Sequence, residues 1–250
     1  MLLAVDIGNT NITMGVFDNE KLIKTLRHQT NVSFSEEQYE IAFNKLLTGY
    51  KITECIIGSV VKDLDTKIKK VIDKIFDINS ITLSQNINIG IKIDAPHPEQ
   101  AGADRIANVC GANKLYPKPY IVVDMGTATT FEIVNKKGDF FGGVIMLGVG
   151  LQLKSLSGNT SLLPDIEPQD AEKAIGDDTV SSILSGVIRG HASAIDGLLE
   201  QCEEELGEKA FIIGTGGYLG LLSKYMKRKF DAKNPSLTLE GLKEIYKLNR

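Results

Sequence analysis

The fold is decided by two stretches of the sequence, AVDIGNTNITMGVFDNEK at residues 4–21 and IVVDMGTATTFEIVNKKG at residues 121–138. Each contains an apolar strand that ends in Asp-x-Gly, a turn rich in Thr or Asn, a second β-rich strand and a polar hairpin turn. Asp6 in the first stretch corresponds to Asp124 in the second, 118 residues later. This internal repeat predicts that the chain consists of two similar halves.

The two halves are predicted to meet near YPKP at residues 116–119, which gives an N-terminal half of residues 1–117 and a C-terminal half of residues 118–250. In both halves strands alternate with amphipathic helices, which favours an α/β fold. The elements predicted in the first half are strands at residues 2–6, 12–17 and 55–61, helices at residues 34–47 and 64–76, and a helix whose first residue is Pro98. That start places Asp104 and Arg105 about two turns into the helix.

In the second half a sustained apolar period predicts the strongest helix, at residues 179–206. A strand at residues 210–213 and a C-terminal helix at residues 239–248 are predicted to follow. The long helix is interrupted by three glycines, Gly186, Gly190 and Gly197. Close approach to another backbone, within the chain or across a subunit interface, is one reason for glycine there.

The composition is that of an ordinary globular protein, with 42% hydrophobic and 24% charged residues among 250. The net charge of −4 argues against sequence-independent binding of nucleic acid. The N-terminus lacks a signal-peptide pattern, and the longest uncharged stretch, residues 140–153, is too short to span a membrane. The cysteines predict buried free thiols, so we expect a reduced, cytoplasmic protein with no nucleic-acid or membrane partner. They are Cys55, Cys110 and Cys202.

The two Asp-x-Gly turns carry the chemistry of the sequence. A carboxylate at a strand end, followed by glycine and by hydroxyl or amide side chains, suits a metal-bound phosphate, because glycine permits close backbone approach and N–H groups donate to phosphate oxygens. One such turn fits a plain β-hairpin equally well. The matching turns at Asp6 and Asp124, followed by GTGG at residues 214–217, favour a nucleotide cleft between the two halves.

Other common site patterns are missing from the sequence. It contains neither the P-loop pattern nor GxGxxG, which argues against those two nucleotide-binding folds. Metal-ligand spacing is absent among the three histidines, His28, His97 and His191.

The ordered set of turns resembles the ATPase superfamily that contains sugar kinases, acetate kinase, actin and heat-shock ATPases. Further motifs, spread over nearly the whole chain, are similar to those of the type III pantothenate kinase family. They are DIGNTN at residues 6–11, GADR at 102–105, DMGTATT at 124–130, GGVI at 142–145, Thr160 with LP at 163–164, TVSSILSG at 179–186, TGG at 215–217 and the tail PSLTLEGLKEIYKLN. GADR followed nineteen residues later by DxGTAT is the specific part of the match.

The resemblance implies a homodimeric kinase of two actin-like halves that transfers phosphate from ATP to pantothenate, giving 4′-phosphopantothenate in the first step of coenzyme A biosynthesis. The residues implied to bind ATP are Asp6, Ile7, Gly8, Asn9, Thr10, Asn11, Ile12, Thr13 and Thr127, with Mg²⁺ near Asp6. The residues implied to bind pantothenate are Gly102, Ala103, Asp104, Arg105 and, from the neighbouring subunit, Thr179. The resemblance makes Asp104 the general base and Asp124 a ligand of a monovalent cation, K⁺ or NH₄⁺.

Elementary chemistry is compatible with these roles. In-line phosphoryl transfer depends on positioning and charge neutralisation, and a carboxylate such as that of Asp104 can accept the proton of the attacking hydroxyl. Arg105 can bind a carboxylate with two parallel hydrogen bonds. Without the resemblance, adjacent Asp104 and Arg105 are more typical of a solvated charged pair.

The sequence departs from the family pattern in two places. Before GADR, where the family usually has Tyr-x-Asn-Pro, residues 92–98 read KIDAPHP, so His97 replaces the Asn and the Tyr is missing. Leu147 and Gly148 replace a Pro-Gly pair. Two alternatives therefore stay open: a non-catalytic nucleotide-binding regulatory protein on the same scaffold, and a kinase for another small hydroxy acid.

Overall fold

The computed structural model describes residues 1–84, 87–159 and 162–250, which form two compact units. The first unit contains Met1–Ile91, Pro96–Leu115 and Ser236–Arg250, and the second contains Lys92–Ala95 and Tyr116–Pro235. The chain passes into the second unit close to residue 117, where the sequence repeat places the boundary. The last fifteen residues belong to the first unit, whereas the repeat assigns them to the C-terminal half.

The first unit is built on a mixed five-stranded sheet. Its strands are β1 (Leu2–Ile7), β2 (Asn11–Asp18), β3 (Lys21–Gln29), β4 (Glu54–Ser59) and β5 (Ile81–Thr82), in the order β3-β2-β1-β4-β5. β1 is antiparallel to β2 and parallel to β4. The strands predicted at residues 2–6, 12–17 and 55–61 are confirmed as β1, β2 and β4. The apolar pattern does not predict β3, whose residues are mostly exposed.

Two helices cover one face of this sheet, packing on a core that includes Leu3, Val5 and Ile57. They are α1 (Glu36–Leu46) and α2 (Leu64–Phe76). α2 has the predicted ends. α1 begins two residues later than predicted because Ser35 forms a capping box with Gln38, in which each side chain accepts a backbone N–H of the other residue.

The opposite face is covered by α3 (Ala103–Leu115) and the C-terminal helix α8 (Leu237–Lys247). The two helix backbones approach so closely that a Cβ on Gly241 would collide with the Ala107 carbonyl. The predicted C-terminal helix is confirmed as α8. It packs in the first unit because glycine on α8 permits a close fit against α3 that the apolar period of the helix does not reveal.

The second unit repeats the strand arrangement of the first. Its strands are β6 (Tyr120–Met125), β7 (Ala128–Val134), β8 (Phe140–Leu147), β9 (Phe211–Thr215) and β10 (Ala232–Lys233), in the order β10-β9-β6-β7-β8. β6 is antiparallel to β7 and parallel to β9, as β1 is to β2 and β4. The internal repeat seen in the sequence is thus a repeat of sheet topology.

The helices of the second unit are α4 (Val149–Gly158), α5 (Thr179–Leu184), α6 (Gly190–Leu206) and the short α7 (Leu219–Leu222). The predicted long helix is confirmed, with a π-helical segment, Ser185–Arg189, joining α5 to α6. Apart from the nearby backbone of the helix itself, no atom of the described chain would lie within 4 Å of a Cβ added at any of the three helical glycines. Close approach within the chain is therefore the wrong explanation for these glycines, Gly186, Gly190 and Gly197.

The three cysteines are free thiols, and Cys55 and Cys110 are buried as predicted. Burial raises the pKa of both thiols to about 12, so neither is reactive near neutral pH. Across the described ranges of the chain, none of the helices combines the length and the apolar character that crossing a bilayer requires.

Candidate functional site

In the first unit, the motifs DIGNTN and GADR meet at one edge of the sheet. Asp6, near the carboxyl end of β1, is paired with Gly58 of the parallel strand β4. The start of α3 reaches the same place, since a Cβ on Gly58 would lie 3.6 Å from the Cβ of Ala103. The strand end that carries Asp6 and the helix start that carries Asp104 therefore border the same sheet edge.

The hairpin of β1 and β2 contains all the residues implied for ATP in this unit, at the end of β1, in the turn and at the start of β2. The Gly8 N–H donates to the Asn11 carbonyl at 3.0 Å, which closes the turn. Asn9, Thr10 and Asn11 are exposed, whereas Ile7 and Ile12 are buried below them. The turn thus presents amide and hydroxyl side chains to solvent on a fixed apolar base, which suits an anion.

Asp104 lies in the first turn of α3, and the prediction that places it about two turns into a helix is wrong. Pro98 begins only a short 3₁₀ turn, Pro98–Gln100, and the backbone becomes extended at Ala101 before the α-helix starts. Gly102 permits this restart, because a Cβ there would lie 2.6 Å from the Asp104 Oδ1 atom.

Two opposing effects act on the pKa of the Asp104 carboxyl. Burial raises the pKa of its carboxyl above the ordinary value, and the Arg105 N–H, which donates to Oδ1 at 2.8 Å, acts in the opposite direction. Burial is the larger effect. The carboxylate is thus held in a fixed orientation and is more basic than an exposed aspartate, which is what a general base requires. Gly102, Ala103 and Arg105 are partly buried beside it.

In the second unit, the DMGT and GTGG motifs form adjoining turns. Asp124 of β6 is paired with Thr130 on β7 and with Thr215 on β9. Gly216 has a φ of +93°, and a Cβ there would lie 2.5 Å from the Asp124 Oδ1 atom. Glycine at residue 216 is therefore needed both for its backbone conformation and for its contact with the Asp124 carboxylate.

Thr127 lies exposed in the turn after Asp124. The Gly148 N–H donates to its carbonyl at 3.0 Å, and the two backbones leave no room for a Cβ on Gly148. In the place where the family usually has Pro-Gly, this chain has Leu147 and Gly148. The departure therefore leaves glycine at residue 148, where the close contact with the Thr127 backbone requires it. The Asp124 carboxylate beside Gly216 is an oxygen ligand of the type that hard cations prefer.

A hydrogen-bonded network around the buried His191 supports this second turn, and sequence reasoning missed it. Gln152 on α4 donates from Nε2 to the Leu147 carbonyl and to His191 Nδ1, each at 2.8 Å. His191 Nε2 is then the protonated nitrogen and donates to Thr129 Oγ1 at 2.9 Å. Burial lowers the pKa of His191, which favours this neutral form. No local signal reveals the network, because the partners of His191 lie 39 and 62 residues away in the chain.

Thr179 is the first residue of α5 and is exposed. The side chain of Asp178 caps the helix by accepting the Ser181 N–H at 2.7 Å. An open cavity of about 740 Å³ adjoins Thr179 and is lined by apolar side chains as well as acidic ones, including Leu156, Leu163, Ile183 and Asp177. Thr160, part of the family motif, lies outside the described residues.

The segment that departs from the family pattern is divided between the two units. Lys92–Ala95 belongs to the second unit. There the Phe140 N–H donates to the Lys92 carbonyl at 2.9 Å, and the Asp94 N–H donates to the Phe140 carbonyl at 2.8 Å. His97 lies in the first unit, is exposed, and has Nδ1 3.4 Å from a Glu99 carboxylate oxygen.

Known structures share this fold. A Baf family protein from Campylobacter jejuni superposes with a TM-score of 0.62 at 22% identity, covering 98% of this chain and 97% of that one. A ROK family glucokinase from Streptomyces griseus superposes with a TM-score of 0.54 at 14% identity, covering 96% and 97% of the two chains. The repeated sheets and these likenesses define the class by its fold, an α/β fold of two actin-like halves.

Within that class, the family model for type III pantothenate kinase matches residues 2–201. The chain is 37% identical over 254 aligned positions to the type III pantothenate kinase of Dehalococcoides mccartyi strain CBDB1, covering all of this chain and 96% of that protein. It is 36% identical to the enzyme of the same name from Syntrophus aciditrophicus, with full coverage of both. The chain belongs to the type III pantothenate kinase family, and it is a kinase that phosphorylates pantothenate in coenzyme A biosynthesis.

Proposed function

We propose that Asp104 is the general base of this kinase, accepting a proton from the 4′-hydroxyl of pantothenate as that oxygen attacks the γ-phosphorus of ATP. The new bond joins the hydroxyl oxygen to phosphorus, the bond between the β,γ-bridging oxygen and the γ-phosphorus breaks, and ADP leaves. The observation that carries the proposal is the place of Asp104. It lies at the start of α3, at the sheet edge that also carries Asp6, with a pKa raised by burial.

The triphosphate is assigned to residues 6–13 and to Thr127. Exposed amide and hydroxyl groups in the first turn can donate to phosphate oxygens, and the Asp6 carboxylate would hold hydrated Mg²⁺. Mg²⁺ bound with ATP would neutralise charge on the phosphates. In the second turn, Asp124 would hold K⁺ or NH₄⁺, an assignment supported by the oxygen donor and by the glycine at residue 216 that packs against it.

Pantothenate is assigned to residues 102–105 and to Thr179. The Arg105 guanidinium can bind the pantothenate carboxylate through two parallel hydrogen bonds, and the backbone at Gly102 and Ala103 lines the same helix start. Thr179 would be supplied by the neighbouring subunit of a homodimer. Its exposure beside an open, partly apolar cavity supports a role that needs a second copy of the chain. Three free thiols, two of them buried, support a cytoplasmic location.

The experiment is ADP release from Mg-ATP with pantothenate, measured in K⁺ and then in Na⁺. We expect pantothenate-dependent turnover that falls when K⁺ is replaced. Equal rates in both salts would contradict the cation role of Asp124. No turnover with pantothenate, together with turnover on another small hydroxy acid, would show that the altered segment 92–98 has changed the substrate.

A further inference from the structure

Thr30, which follows the end of β3, makes two hydrogen bonds to the ATP turn of the first unit. Its N–H donates to the Thr10 carbonyl at 2.9 Å. Its hydroxyl donates to the Gly8 carbonyl at 2.6 Å. Thr30 lies outside every motif that marks the family in the sequence, and the side-chain bond joins residues 22 positions apart.

The hydroxyl bond to Gly8 matters because of the peptide that it fixes. Glycine adopts many backbone conformations, so the Gly8–Asn9 peptide can rotate at little cost unless it is held. In a trans peptide the carbonyl and the following N–H point in opposite directions. With the Gly8 carbonyl held towards Thr30, the Asn9 N–H points away from Thr30. The bond therefore turns a carbonyl oxygen towards Thr30 and leaves the Asn9 N–H on the opposite side of the peptide, as a donor for an anion.

Thr30 is itself held by rigid structure. The hydroxyl of Tyr39 accepts the Asn31 N–H at 3.1 Å and donates to the Asn31 carbonyl at 2.8 Å. Tyr39 is fully buried in α1, and its ring packs against those of Phe34 and Phe43. The residue after Thr30 is thus fixed to the core of the first unit, which makes Thr30 a firm support for the turn.

We propose that Thr30 is a positioning residue for ATP, orienting the turn at residues 6–13 by its hydrogen bond to the Gly8 carbonyl. The proposal rests on the assignment of this turn to the ATP phosphates. The hydrogen bonds of Thr30 go to the turn and not to Asp104, so we expect it to affect nucleotide binding and not the proton transfer.

The test compares three variants with the wild-type protein. Thr30→Val removes the hydroxyl at nearly constant shape, and Thr30→Ser keeps it. Thr25→Val makes the same change at an exposed position of β3 as a matched control. Dissociation constants for Mg-ATP come from isothermal titration calorimetry, with KM for ATP and for pantothenate and the melting temperature measured alongside.

We expect Thr30→Val to weaken Mg-ATP binding about five- to tenfold, the range for one lost hydrogen bond. KM for pantothenate should stay within about twofold, and Thr30→Ser and Thr25→Val should resemble the wild type. Unchanged Mg-ATP affinity in a folded Thr30→Val variant would overturn the proposal, as would an equal loss in Thr30→Ser.

The calorimetric readout separates this proposal from the proposed reaction. If the wild-type protein binds Mg-ATP but gives no turnover with pantothenate, the reaction fails while the comparison of the variants still decides the role of Thr30. If the wild type binds no Mg-ATP, both the assignment of the turn and the role of Thr30 are wrong.

Discussion

At the scale of one residue, the role proposed for Asp104 is in conflict with stability. Its pKa is raised by burial, so the folded state binds a proton at this carboxyl more readily than the unfolded chain does. The contribution of the group to stability therefore falls as pH rises through the ordinary range of an aspartate. At neutral pH the folded protein holds a charge that is partly removed from water, which general-base catalysis requires and folding disfavours.

We expect Asp104→Asn to lower kcat about 100-fold or more, because the amide cannot accept the hydroxyl proton. Its melting temperature should equal or exceed that of the wild type, since the variant no longer holds a partly buried charge. The measurements are initial rates of ADP release and thermal unfolding at pH 7. Asp65→Asn, which changes an aspartate in the first turn of α2, is the matched control and should keep full activity. Full activity in a folded Asp104→Asn variant would refute the role of Asp104.

At the scale of elements, α8 is fixed to the hairpin of β2 and β3 by a small ionic network. Lys243, only 8% exposed, lies over the Phe17 ring and donates to a Glu20 carboxylate oxygen at 3.0 Å. Lys247 bonds the same oxygen at 2.5 Å. Hydrogen bonds from these two lysines lower the pKa of Glu20 to about 2. The network ties the last helix of the chain to a turn more than 220 residues earlier.

We expect Glu20→Gln to lower the melting temperature at pH 7 by about 1–3 °C, a small effect because the Glu20 side chain is exposed and its ion pairs are screened by water. The pKa of Glu20 is lower in the folded than in the unfolded state, so its stabilisation is present above about pH 4.5 and is lost as pH falls towards 2. Melting curves of variant and wild type should therefore converge over that range. A constant difference down to pH 2 would show that the charge of Glu20 is not the cause. Glu200→Gln, on exposed α6 surface, is the control.

At the scale of the whole molecule, the proposed site needs residues from two copies of the chain. Thr179 is exposed, and a Cβ added at any of three glycines on the same long helix would point into open space in the described part of the chain. An interface between two copies accounts for both observations, since it would place a partner against the glycines and Thr179 in the partner's site.

Mixing two inactive variants tests this arrangement. We expect Asp104→Asn and Thr179→Ala to be inactive or nearly so alone, and an equal mixture allowed to exchange subunits to regain about a quarter of wild-type activity. Half of the randomly formed dimers are mixed, and each mixed dimer restores one complete site. No regain, with exchange shown by labelled subunits, would mean that Thr179 acts within its own chain. A monomer by light scattering would also exclude the shared site.

The sequence predicted what depends on local patterns. The repeated hairpins follow from alternating apolar residues that end in Asp-x-Gly, and α2 follows from its apolar period, so both could be read without tertiary information. The family motifs likewise lie in short stretches, such as GADR and DMGTATT, whose residue types carry the chemistry directly. The candidate residues for ATP, pantothenate and the cation could therefore all be named from the sequence.

What only the tertiary structure decided depends on contacts between distant residues. An apolar period shows that α8 has a buried face but not that α3 is its partner, so its place in the first unit could not be predicted. The start of α3 at Ala103 depends on an extended residue after Pro98, which no propensity specifies. Thr30 and His191 are joined to the two turns by hydrogen bonds across 22 and 62 residues. Such bonds form only when folding brings separate strands and helices together, and for that reason they leave no local pattern in the sequence.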